Sequence, residues 1–290
     1  MLVPLLLSAG AVAGVLRVRA ARRAERAYAQ FRPPGADGIV PGAEGFTCEG
    51  STGRALLMLH GFGDTPQTLR YLATRLHSVG FTVHAPLLPG HGRGLRDFAA
   101  ASADDYARAA RTALVELRAR TPWVGVIGLS MGGAIAARLA AEFRDVRVLA
   151  LLAPYLMPPR AVALVGRTAP FWSAAVPYLG GRGGDASVHD PVARAASFAY
   201  GVFPPSAVGA LCATAAAGRR ALPSITAPTL VVNSREDNRI PYGVAESATA
   251  GLAGPTERRW VTGCGHVITV DYCRDVVANL VLDFLTRHAD

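Results

Sequence analysis

Residues 124–143, VGVIGLSMGGAIAARLAAEF, set Ser130 between Gly128 and Gly132, after a run rich in β-branched residues and before an alanine-rich stretch. The first part reads as a buried strand and the part from Met131 to Phe143 as a helix. Glycine costs backbone entropy in either element, so a glycine two residues before Ser130 and another two after it call for a steric reason. A sharp strand-to-helix turn supplies one. The two elements close up on each other, leave no room for side chains at 128 and 132, and lift the serine hydroxyl clear of the sheet. The helix start at Met131 also aims free N–H groups at the place where negative charge would develop. G-x-S-x-G recurs by chance in a glycine-rich chain, so its surroundings must decide its meaning.

On both sides of this stretch short apolar runs alternate with helical patterns. ALLMLH (55–60), FTVHAP (81–86), VRVLALLAP (146–154), PTLVVNS (228–234) and ERRWVT (257–262) read as strands. Residues 67–80, 102–120, 242–250 and 272–288 read as helices, the second opening on a Ser/Asp cap. This predicts an α/β fold, a mostly parallel sheet flanked by helices, over residues 45–290. The alternation stops over 155–222, where prolines and aromatics are frequent and no strand stands out. A mainly helical insert before the last two strands is expected there. Residues 31–44, rich in Pro and Gly, read as a linker.

The N-terminal segment, residues 1–30, starts with MLVPLLLSAGAVAGVL, free of charged side chains, followed by the arginine-dense RVRAARRAER. As a helix the apolar part rises about 24 Å, short of a hydrocarbon core of about 30 Å. Its charge follows the apolar run, the reverse of a cleaved signal peptide, and favours keeping the main domain in the cytoplasm. Membrane association through residues 1–26 is the expectation, with an amphiphilic leader, a miscalled start or a cleaved signal as alternatives. The net charge is +9, yet all 30 basic residues are arginine, and beyond the N-terminus they are dispersed. With no nucleic-acid motif present, a nucleic-acid partner is not expected. Cys48, Cys212, Cys264 and Cys273 form no C-x-x-C pair; they read as free thiols of a reducing compartment, although Cys264 and Cys273 could approach each other. No histidine spacing suits a metal, so neither metal nor cofactor is expected.

A serine hydroxyl needs an adjacent base to act as a nucleophile. In chain order an acid should follow a later strand, and a histidine should come after it. Asp237 in VVNSREDNRIP meets the first requirement, and the Ile-Pro that follows favours it over its neighbour Glu236. His266 in WVTGCGHVI meets the second, in a Gly-flanked loop past the next strand. His266 would take the Ser130 proton, and Asp237 would fix the imidazole tautomer. The N–H groups of Met131 and of Phe62, in LHGFGDT, are the candidate oxyanion donors. His60 reads as a loop-forming residue.

The stretches LMLHGFGDTPQTLRYLATRL (57–76), GFTVHAPLLPGHG (80–92), IGLSMGG (127–133), DNRIP (237–241) and GHVITVDYCRD (265–275) carry a resemblance. Over roughly residues 45–290 the chain resembles the α/β-hydrolase superfamily and, within it, bacterial carboxylesterases and monoacylglycerol lipases. The resemblance implies Ser130, Asp237 and His266 as triad, Phe62 and Met131 as oxyanion donors, and the 155–222 insert as a cap over an acyl pocket. Its implied activity is hydrolysis of carboxylic esters, of acyl chains or monoacylglycerols, through an acyl-enzyme. An acyltransferase or thioesterase with the same triad is the alternative, and a non-catalytic hydrolase-fold binding protein a further one. The insert is rich in apolar residues, including Val162, Leu164, Phe171, Trp172, Leu179 and Phe203. A subset of them is expected to face Ser130 and favour a fatty acyl chain.

Overall fold

The computed structural model describes residues 2–180 and 187–288, with side chains at residue 12 and from residue 14 onward. The chain begins with α1 (Leu2–Phe31) and continues through β1 (Phe46–Cys48) and β2 (Arg54–Leu59). A 3-10 turn (Pro66–Leu69) runs into α2 (Arg70–His77), followed by β3 (Thr82–Ala85), α3 (Leu95–Ala100) and α4 (Ala103–Arg120). Next come β4 (Trp123–Leu129), α5 (Met131–Glu142) and β5 (Leu149–Leu152). Between β5 and the next sheet strand lie α6 (Arg160–Arg167), α7 (Ala169–Ala175), β6 (Leu179–Gly180), α8 (Pro191–Ala195), β7 (Val202–Phe203) and α9 (Pro205–Ala221). The chain closes with β8 (Thr229–Ser234), α10 (Tyr242–Thr249), β9 (Thr256–Val261) and α11 (Arg274–Arg287).

Seven strands form one sheet in the order β1-β3-β2-β4-β5-β8-β9, parallel throughout except for β1, which runs antiparallel to β3. Its central strands are apolar at nearly every position because both faces are covered. In β2, Ala55, Leu57 and Leu59 join a core with Tyr106 and Ala110 of α4 and Ile135 of α5. Leu56 and Met58 point the other way, against Leu72 and Leu76 of α2 and Val277 and Phe284 of α11. Each half of this alternation supplies one apolar layer. The expected cap on α4 is present: Ser102 and Asp105 exchange side-chain and backbone hydrogen bonds at 3.2 and 2.9 Å.

Several features differ from the sequence reading. β1 and α3 are too short to leave a periodic pattern and owe their form to the sheet edge and to neighbouring helices. The insert is mainly helical but also holds a two-stranded ribbon, β6 against β7, pairing Leu179 with Phe203. The stretch read as a linker is tied down: the Val40 N–H donates to the Gly92 carbonyl at 2.8 Å, and Val40 and Ala43 are buried. Among the described residues no helix is long and apolar enough to cross a membrane. The side chains of residues 1–11 and 13, on which most of the apolar N-terminal expectation falls, lie outside the described residues.

Candidate active site

The parallel strands place their C-terminal ends along one edge of the sheet, where loops from β4, β8 and β9 converge. Ser130 occupies the turn between β4 and α5 with φ 55° and ψ −115°. That is left-handed backbone, costly for a residue with a side chain. The sheet holds it in place: the Ser130 N–H donates to the Leu152 carbonyl at 2.9 Å, and the Ser130 carbonyl accepts from the N–H groups of Gly133 and Tyr155, both at 3.0 Å. A Cβ on Gly128 would stand 2.2 Å from the Gly132 carbonyl oxygen, the expected collision between strand and helix. A Cβ on Gly132 would stand 2.1 Å from the carbonyl oxygen of Leu59, so here the obstacle is the end of β2 rather than β4.

The three residues singled out by chain order meet. His266 Nε2 lies 2.8 Å from Ser130 Oγ, and His266 Nδ1 lies 2.7 Å from Asp237 Oδ2. An ionised carboxylate can only accept, so Nδ1 carries the proton and Nε2 is left free to accept from the serine. Asp237 Oδ1 accepts from the N–H groups of Arg239 and Ile240 at 2.7 and 2.8 Å. Burial pushes the Asp237 carboxyl up, but its interaction with the His266 ring and these backbone hydrogen bonds outweigh it and hold the group below the usual carboxylate range. Glu236, the neighbouring acid, is turned away: its Oε2 accepts from the Gly263 N–H at 3.1 Å and braces the loop after β9.

Two further backbone N–H groups belong to residues beside this site, Met131 directly after Ser130 and Phe62 on the cavity wall. Met131 is the first residue of α5, so its N–H has no partner within the helix. The Phe62 N–H also has no hydrogen-bond partner among the described residues. The neighbouring Gly63 takes a positive φ of 67° that fixes this loop. His60 shapes it from below: the Leu88 N–H donates to Nε2 at 3.0 Å, so Nδ1 carries the proton and donates to the Gly61 carbonyl at 2.9 Å. Burial and the adjacent His91 hold its pKa well below the ordinary range, keeping His60 neutral and structural.

The loop carrying His266 is anchored in ways that the sequence reading missed. Cys264 and Cys273 form a disulfide that brackets it, which corrects the expectation of free thiols for this pair, while Cys48 and Cys212 are unpaired. The spacing of the two carries no sequence signal for pairing; the approach comes from the turn between β9 and α11. Asp271 is fully buried and accepts backbone N–H groups from Gly265, His189, Asp190 and Tyr272 at 2.8 to 2.9 Å. Burial pushes its carboxyl up, but these four donors prevail and hold it low. One side chain thus joins the insert to the residue preceding His266. The only sequence sign of it is an acid five residues after the histidine.

Above Ser130 and His266 lies a cavity of about 440 Å³, walled largely by apolar side chains including Val162, Val165, Leu179, Phe203, Val208 and Leu211. Of the apolar insert residues, Val162, Leu179 and Phe203 therefore line the cavity that Ser130 opens into, whereas Leu164, Phe171 and Trp172 are exposed. Asp64 is a buried exception on this wall. Burial raises its pKa from the ordinary 3.8 to about 6, against hydrogen bonds from Thr65 and Thr68 and the nearby His266. With its folded pKa raised, Asp64 keeps a proton that the unfolded chain releases, so its favourable contribution is complete below about pH 4 and lost as pH rises to about 6. Asp64→Asn should therefore leave stability unchanged at pH 4 and raise it by up to about 3 kcal/mol at pH 8. Urea unfolding at both values measures this; an equal gain at both would contradict it.

The family model for the alpha/beta hydrolase family matches residues 56–280, most of the chain, from within β2 through β9. The chain belongs to the alpha/beta hydrolase family. This alpha/beta hydrolase is 30% identical over 256 residues to a thermostable monoacylglycerol lipase of Bacillus sp. (strain H-257), spanning 87% of this chain and 97% of that one. It is 26% identical over 244 residues to a carboxylesterase of Bacillus subtilis (strain 168), spanning 83% and 96%. Among solved structures, one from work on the metagenome-derived lipolytic enzymes LipS and LipT superposes with a TM-score of 0.79 at 29% identity, covering 86% of this chain and all of the other. The monoacylglycerol lipase of Paleococcus ferrophilus shares the fold with a TM-score of 0.72 at 17% identity, covering 84% and 98%.

Proposed function

We propose that this protein is a serine hydrolase of carboxylic esters whose acyl group, from a lipid such as a monoacylglycerol, occupies the apolar cavity. One observation carries the reading: an unbroken hydrogen-bonded line from Asp237 through His266 to Ser130, ending on the floor of that cavity. The monoacylglycerol lipase and carboxylesterase relatives support the substrate class. As Ser130 Oγ attacks the ester carbonyl, His266 Nε2 takes its proton and Asp237 stabilises the imidazolium. The oxyanion settles between the N–H groups of Met131 and Phe62. Collapse expels the alcohol with the proton from His266, and a water activated in the same way then releases the acid. The insert acts as the cap that keeps this cavity apolar.

A chain-length series of p-nitrophenyl esters and monoacylglycerols, with Ser130→Ala as control, tests the proposal. Activity absent from the variant and peaking at medium or long chains is expected. A short-chain optimum would demote the acyl-lipid reading to a general carboxylesterase. Transfer of the acyl group to an added alcohol, without release of free acid, would identify an acyltransferase.

A further inference from the structure

Helix α1 is attached to the insert by one face only. Arg17 Nε donates to the Ser173 carbonyl at 3.1 Å, and Glu25 accepts from the Tyr178 hydroxyl at 2.9 Å while pairing with Arg96 at 2.8 Å. Further along, Tyr28 packs on Tyr200 with ring centres 4.9 Å apart, and Arg32 Nη2 donates to the Ser197 carbonyl at 2.6 Å. These contacts grip the rim of the cavity. Ser197 lines it, as does Leu179 beside Tyr178, and the Ala199 and Gly201 that flank Tyr200 line it too.

At about 100° per residue, Val12, Val15 and Leu16, then Arg19, Arg23 and Arg26, fall together on the opposite face. All six are exposed, and the three arginines make no ion pair among the described residues. Beside the Arg17–Ser173 contact, α7 adds Phe171, 68% exposed, and Trp172. Along the free face apolar side chains come first, and a cationic band begins within about 5 Å of axial rise. That order matches the layering of a bilayer, hydrocarbon and then phosphate, and the charge is complementary to anionic headgroups.

We propose that the free face of α1, together with Phe171 and Trp172, is a docking surface for bilayers carrying anionic phospholipid, with α1 inserted into the interface rather than spanning it. Under the proposed ester chemistry this sets the cavity rim at the lipid surface, where acyl esters are concentrated. The docking itself requires no turnover, so it is tested apart from the ester reading.

The test is co-sedimentation of the full chain with vesicles of phosphatidylcholine alone or mixed with phosphatidylglycerol, in parallel with hydrolysis of a dissolved short-chain ester. Binding to the mixed vesicles is expected to be strong and to weaken with added salt. The triple variant R19A/R23A/R26A should lose on the order of 100-fold in affinity, and F171S/W172S should also bind more weakly. Hydrolysis of the dissolved ester should be unchanged in both variants. Equal binding to neutral and anionic vesicles, no binding to either, or full binding by the triple variant would overturn the proposal. Full binding by F171S/W172S would remove the insert from the surface and overturn the composite site. Absence of ester hydrolysis in wild type that still binds vesicles would count against the proposed activity and leave the docking surface standing.

Discussion

Replacing Ser130 by alanine is expected to lower kcat for ester hydrolysis about 10⁵- to 10⁶-fold with the fold intact. The size follows from cooperation: Ser130 and His266 act as one hydrogen-bonded unit, so His266→Ala should cost about as much and the double variant scarcely more. Asp237→Asn should cost about 10⁴-fold, because an amide at this position favours the wrong imidazole tautomer. The same residue gives a second readout. Ser130 is held at φ 55°, a conformation glycine enters freely, so Ser130→Gly should abolish hydrolysis and raise unfolding free energy by about 1–2 kcal/mol. Steady-state kinetics and denaturant unfolding of the two Ser130 variants, alanine and glycine, measure both effects. More than a trace of hydrolysis in Ser130→Ala would require another nucleophile.

Gly132→Ala is expected to be the most damaging single methyl group in the chain. Its Cβ would lie 2.1 Å from the Leu59 carbonyl oxygen and 2.7 Å from that of His60, both backbone atoms that cannot rotate away. Either β2 moves at its C-terminal end, taking the Phe62 loop with it, or α5 tilts off the sheet. A loss of about 4 kcal/mol or more, or failure to fold, is the expected outcome. Gly243→Ala is the control: the added methyl on α10 meets nothing within 4 Å, and alanine is the better helix former. Thermal unfolding should separate the two variants clearly; similar midpoints would refute the steric account of the turn.

The core and the candidate site were readable from the sequence where local pattern and global fold agree. β2, β4 and β8 are buried on both faces and so appear as continuous apolar runs. Ser130 and Asp237 each follow such a strand, and His266 follows the partly exposed β9, which made their order informative. What was missed depends on contacts between distant parts of the chain. Asp271 draws donors from residues 189 and 190, far away in sequence, so no local motif describes its role. The partnership of Cys264 and Cys273 is likewise a product of the loop they close. For α1, hydropathy showed an apolar start but not that Glu25 and Tyr28 would turn toward the insert.

The Asp271 carboxylate also bears on how this molecule could be rebuilt. Inserts between β5 and β8 invite transplantation, since both ends of the segment rise from the sheet. Here one anchor of the insert is a charge belonging to the histidine loop. A graft that replaces residues 189 and 190 with a backbone of different course would leave a buried carboxylate short of donors and loosen the peptide before His266. Junctions placed ahead of residue 189 and after residue 190, with that dipeptide retained from the host, would preserve the anchor and allow the cavity walls to be exchanged around it.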